Sequence, residues 1–236
     1  MTSVVKRAIS LLALTAFVAI GGLWQFKRWS HQRASELKPS LTEPITMPAN
    51  PSCFPGRSSD ISRLRVNDQY FPQDVPPSLV KWFSRLLRAM NEPSLLSSND
   101  SLDEVYRFLW LRSFHHPIAV RVWRTGDKYF LNAVELRGAG GYEPGKELAR
   151  KARELSSEEW VTFTRSLDES CFWNLPLQNP EYQGEDGAEW IIEGTRLGRY
   201  HLTDVWSPTS GPYRGACIYL LSISGLGIDE KSEDLY

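Results

Sequence analysis

Few residues in this chain could carry chemistry. Four histidines occur (His31, His115, His116 and His201), with three cysteines, Cys53, Cys171 and Cys217. The densest polar group lies in GRYHLTDVWSP, where His201, Asp204 and Trp206 stand close together. A His–Asp pair can move protons, so this stretch, with Arg214 further on, admits a hydrolase with a cleft beside Trp206. Strand geometry argues against it. Residues three apart on a strand point to opposite faces, so His201 and Asp204 do not converge by spacing. A metal site would need several ligands to meet, and His115, His116, His201 and Asp204 are the only conceivable set. No Cys-x-x-Cys or Cys/His spacing supports one, so neither metal nor cofactor is expected. His116 stands before Pro117 and reads as a turn residue.

Two further patterns look chemical and fail. GGYEPGK, Gly140–Lys146, has the spacing of a phosphate-binding loop, but Glu147 stands where the Mg²⁺-holding hydroxyl belongs and Pro144 removes an N–H from the cradle. The glycines are better read as turn residues needing positive φ. Glu189 and Glu193 would share one strand face roughly 13–14 Å apart, beyond the separations of glycosidase carboxylates; they read as a solvated face. No G-x-S-x-G elbow occurs, and Cys171 falls on the inner face of an expected helix, where a thiol is inert.

The elements that would position these residues are legible in the periodicity. Asp186–Pro208 reads as a hairpin with alternating arms Ala188–Gly194 and Arg199–Trp206 around Thr195–Gly198. Upstream, Val105–Leu111, Ile118–Trp123 and Lys128–Arg137 alternate, with short turns at His115-His116-Pro117 and Thr125-Gly126-Asp127, which predicts an antiparallel meander. Leu148–Leu155 suits a helix or an exposed fourth strand, and the strand is favoured. Leu79, Val80, Phe83, Leu86, Leu87 and Met90 recur at helical spacing after Pro76-Pro77, and Asn91-Glu92-Pro93 stops that helix. Its basic face, Lys81, Arg85 and Arg88, reads as solvated. Ser156 with Glu159 forms a capping box opening a second helix, and Pro212 opens a third that ends at Gly225. The expected fold is α+β: an antiparallel sheet, meander plus C-terminal hairpin, covered on one face by two or three helices.

Lys6 and Arg7 precede an uncharged apolar run, Ala8–Trp24, and Lys27, Arg28 and Trp29 come after it. About 17 residues at helical rise just reach across a bilayer core. The aromatic and basic flank suits an interface, so an uncleaved anchor is favoured over a cleaved signal. Positive charges flank both ends and do not fix orientation; the short leading segment favours export of the downstream domain. Five prolines between Pro39 and Pro55 mark a semi-rigid spacer. The organisation expected is therefore a membrane segment over 1–29, a linker over 30–60, a globular domain over 61–228 and an acidic tail over 229–236.

The 236 residues carry a formal net charge of −1 and are 42% hydrophobic and 12% aromatic. That balance removes the electrostatic footprint of a nucleic-acid binder and fits one good core filled by large rings. Of the cysteines, Cys171 and Cys217 both fall inside the expected domain and are the first pair to test for a disulfide.

The segments YRFLWLRSFHHPIAVRV, GAGGYEPG, SSEEW…FWNLP and DGAEWIIEG…GRYHLTDVWSP, in the C-terminal half, together resemble an uncharacterised family of bacterial proteins. That resemblance implies a recurring bacterial module and brings no activity, substrate or catalytic residue. The expectation is a single-pass inner-membrane protein whose domain lies outside the cytoplasm and binds a protein partner without catalysis. The envelope hydrolase is the alternative. His116, His201, Asp204, Trp206 and Arg214 are the candidate contacts.

Overall fold

The computed structural model describes residues 53, 56–67, 70–97, 104–178, 184, 186–229 and 235. The expected anchor, and all but Cys53 and 56–60 of the expected linker, lie outside the described residues. Among those described, no helix is long and apolar enough to cross a membrane.

A seven-stranded antiparallel sheet organises the domain. Its strands are β1 (Ser59–Asp60), β4 (Glu104–Arg112), β5 (Ile118–Thr125), β6 (Lys128–Leu136), β7 (Glu147–Leu155), β8 (Ala188–Arg196) and β9 (Arg199–Trp206), in the order β1-β9-β8-β4-β5-β6-β7. The short pair β2 (Val66–Asn67) and β3 (Phe71–Pro72) stands apart. Among the described residues three α-helices accompany it: α1 (Pro77–Ala89), α2 (Ser157–Glu169) and α3 (Pro212–Ile223). Meander, hairpin and all three helices fall where periodicity places them, and Leu148–Leu155 is a strand. The chain leaves the meander at β7, crosses through α2 and returns as β8 on the far side of β4, which makes β4 central.

One face carries the aromatic core. Tyr106, Phe108 and Trp110 of β4 lie with Ile118, Val120 and Val122 of β5 and with Trp190 and Ile192 of β8. Trp160, Phe163 and Leu167 of α2, and Tyr213, Cys217 and Leu220 of α3, close over them. Each fully buried ring or large aliphatic side chain contributes about 1.5–3 kcal/mol. The capping box of α2 is formed: Ser156 Oγ accepts from the Glu159 N–H and the Glu159 carboxylate from the Ser156 N–H.

The opposite face is covered too, which corrects the expectation of helices on one side only. Every residue of β4 is buried, as a central strand between two layers requires. α1 ends in a Schellman turn: Asn91 takes φ +51, and the N–H groups of Asn91 and Glu92 donate to the carbonyls of Arg88 and Leu87. That turn drives the Glu92 carboxylate onto the sheet, where it accepts from Arg121 Nε (2.8 Å), Asn132 Nδ2 (2.8 Å) and Arg107 Nη1 (3.3 Å). Arg107 also grips Glu193, donating from Nε at 2.8 Å, and Tyr200 Oη donates to the same carboxylate at 3.0 Å. Glu189 and Glu193 are each 3% exposed; they face a second buried layer, not solvent. Burial pushes the Glu193 carboxyl above its ordinary range, against the attraction of Arg107.

The disulfide joins Cys53 to Cys171, and Cys217 is a free buried thiol. The expected Cys171–Cys217 pair is thus incorrect. Cys217 points into the aromatic core from α3, while Cys171 leaves the end of α2 with φ +50 toward the segment that enters the domain.

Candidate functional site

The edge of β9 is covered by two segments that do not meet. Ser59 and Asp60 of β1 pair with Tyr200 and Arg199. Further along, the Asp204 N–H donates to the Leu177 carbonyl at 2.7 Å and Gln178 forms a parallel bridge with Asp204. Backbone groups of alternate residues leave an antiparallel strand on the same side. Leu202 lies between Tyr200 and Asp204, so its N–H and C=O point out through the breach. The segment that would continue β1 past Leu202 turns away, because the Arg57 N–H donates to the Trp173 carbonyl at 2.5 Å. Among the described residues neither main-chain group of Leu202 has a hydrogen-bond partner, although the residue is 4% exposed. Pro176 stands in the opposing wall and has no N–H to offer.

A cavity of about 180 Å³ occupies this breach. Leu175, Leu177, Val75 and Leu202 give it apolar walls, and the exposed side chains of Arg57 and Asp74 belong to its lining. His201 also lines it. Its imidazole packs edge-on to Phe172, ring centroids 4.9 Å apart, with Trp173 at 6.2 Å. Burial pulls its pKa down to about 4, against the carbonyls of Leu175 and Phe172 and with help from the Arg57 charge. Its Nε2 is buried without a partner. His201 is therefore a neutral ring at physiological pH.

The other expected site residues are dispersed. Asp204 lies on the sheet face opposite His201 and accepts from Gln178 Nε2 at 2.7 Å, fastening the 175–178 segment that Thr203 Oγ1 also holds through the Pro176 carbonyl. Trp206 is 8% exposed and lies against the loop before β8, where a Cβ on Gly187 would come within 2.7 Å of its ring. Arg214, on the first turn of α3, stacks its guanidinium 5.6 Å from the Trp190 ring centroid and donates to the Leu235 carbonyl. His116 occupies the turn between β4 and β5 with Nδ1 2.8 Å from Glu135 Oε1; β8 separates those strands from β9. Of the five, His201 alone reaches the cavity.

Arg57, Asp74 and Leu202 carried no mark in the sequence. Arg57 stands in a stretch read as linker, Asp74 in one without periodicity, and Leu202 is one apolar residue of an alternating strand. Pro176, which cannot pair through nitrogen, was the available clue to a break at this edge.

The glycine-rich loop is a structural clasp. Gly140, Gly141 and Tyr142 N–H groups donate to the carbonyls of His115, Ser113 and Ala139, so the first three amides of the GGYEPGK stretch are turned into the loop itself. Gly140 is required by close approach, since a Cβ there would sit 2.6 Å from the Arg112 carbonyl oxygen; within this loop only Gly145 has positive φ, +70. No group of three or more potential metal ligands occurs among the described residues. No family model, curated protein or solved structure matches this chain.

Proposed function

We propose that this chain is a membrane-tethered binding module of the bacterial envelope, held by residues 8–24, spaced by the proline-rich segment and facing away from the cytoplasm. The breach in the edge of β9 carries the binding half of that reading. It gathers apolar walls, two opposite charges and an unmatched main-chain donor and acceptor in one cavity, which is how recognition sites are furnished. The Cys53–Cys171 bond supports export, because such bonds persist in oxidising compartments. The hydrolase reading draws no support, since Asp204 lies on the sheet face opposite His201, neither Asp204 nor Arg214 lines the cavity, and His201 is a neutral ring packed on Phe172.

Site-specific photocrosslinking in living cells tests both halves. A photoreactive side chain at Leu177, on the cavity wall, is compared with one at Val161, exposed on α2. The expected result is a discrete adduct from position 177 alone, on a domain that external protease digests in spheroplasts. Equal labelling from both positions, no adduct, or a protease-protected domain overturns the proposal.

A further inference from the structure

The chemistry of the breach narrows what it holds. We infer that the cavity takes one residue of an extended peptide from a partner protein, paired through its main chain with the N–H and C=O of Leu202; this rests on the binding role proposed above. Three observations point this way. Leu202 offers a donor and an acceptor side by side, in the plane of the sheet, at a position where the strands on either flank are already bridged. Another stretch of backbone presents a matching acceptor and donor at that spacing, which is how an extended segment adds to a sheet edge. The space is the second observation. About 180 Å³ is below the roughly 300–1,000 Å³ of pockets for drug-sized ligands, and it suits a single side chain. Its lining mixes the apolar side chains of Val75, Leu175 and Leu177 with polar groups of Ser59, Tyr200 and His201, so it suits a small side chain of mixed character. Third, Arg57 and Asp74 carry opposite charges in the same lining, so a polar residue of either sign beside the buried one can be met.

The breach also has a fixed width. Cys53 precedes the wall at Arg57 and Cys171 precedes the wall at Leu175, and the disulfide joins them. The Arg57 N–H to Trp173 carbonyl bond ties the same two walls again. The opening is preformed, which lowers the ordering cost of a short peptide.

The test uses the full-length chain in lipid nanodiscs. Random heptapeptides displayed on phage are selected against it, and enriched peptides are resynthesised with N-methyl groups placed one residue at a time. Each N-methyl removes a single main-chain donor. Methylation at one central residue is expected to weaken binding about tenfold, with little effect at its neighbours, and Leu177→Arg should abolish binding. In the same sample, labelled at leucine nitrogen, the Leu202 amide should exchange with solvent freely without peptide and slow at least about tenfold with it. Peptides whose binding ignores N-methylation or Leu177→Arg, or that leave Leu202 exchange unchanged, refute the inference. So does the absence of any enriched peptide, the cavity then holding water or a non-peptide ligand. A Leu177 adduct that persists in cells while peptides fail removes the peptide and leaves the binding module standing.

Discussion

Replacing Arg107 by Met should expose the energetics of the second buried layer. The side chain of Arg107 has no exposed surface, and those of its partners Glu92 and Glu193 are 1% and 4% exposed. Met keeps much of the volume and removes the charge. Glu92 retains Arg121 and Asn132, but Glu193 keeps only the Tyr200 hydroxyl. Removing one member of a buried, hydrogen-bonded pair costs about 3–5 kcal/mol because the other charge stays desolvated. The pH dependence separates that mechanism from lost packing. Burial already raises the Glu193 carboxyl above 4.5, with Arg107 opposing it. A carboxyl raised in the folded state contributes stability that is complete below the unfolded value and lost as pH rises through the folded one. Without Arg107 the folded value climbs further, so the deficit relative to wild type should be small below the ordinary carboxylate value of 4.5 and grow as pH rises above it. Urea unfolding followed by tryptophan fluorescence on both sides of that value measures it, and Arg107→Met/Glu193→Gln should recover part of the loss at neutral pH. A deficit that does not vary with pH, or one below about 1 kcal/mol at pH 8, would refute the stranded-charge account.

Ser156→Ala removes the hydroxyl half of the α2 capping box and should cost about 0.5–2 kcal/mol in urea unfolding. Hydrogen bonding from Arg153 holds the neighbouring Glu159 carboxyl down to about 2, so its contribution is present above 4.5 and fades as pH falls through 2; a pH series on Glu159→Gln should lose that acid limb. Burial lowers His201 to about 4, so the imidazole should titrate near 4 by NMR, and its share of stability, present above 6.5, should be lost as pH falls toward 4. Denatured protein from its native compartment should show one reactive thiol, Cys217, and two in the Cys53→Ser variant; three in the unaltered chain would exclude the disulfide. Gly140→Ala should destabilise by about 1–3 kcal/mol, because the colliding atom is main-chain oxygen in a paired strand.

Strand and helix positions were legible because the aromatic core repeats at regular intervals. Tyr106, Phe108 and Trp110 mark one face of β4 as plainly as Ala188, Trp190 and Ile192 mark β8. The second layer was not, and for a definite reason. Alternation distinguishes apolar from polar faces, and a polar face closed by compensating charges looks the same in sequence as one in water. Glu193, Arg107 and Glu92 are 86 and 15 positions apart in their pairings, beyond any local window. The strand order was hidden likewise, since β8 reaches β4 across the whole of β5–β7 and α2. Three cysteines permit three pairings, and the one formed depends on how the entering segment folds back on Trp173. The candidate site was the least legible part. It is an interruption, made where β1 turns aside and Pro176 cannot pair, and interruptions leave no periodic trace. His201 stood out for its residue type, yet it reaches the cavity from a strand whose other polar members, Asp204 and Thr203, fasten a loop.

Tension applied to the chain upstream of Cys53 would take a particular route. β1 is held by two residue pairs and would peel first if it bore the load. The sulfur link diverts that load at Cys53, before it reaches β1, and delivers it to the end of α2 beside Phe172 and Trp173. A tug from the upstream side is thus borne by a covalent strut rooted in the largest side chains of the domain, and the delicate edge strand next to the cavity stays slack.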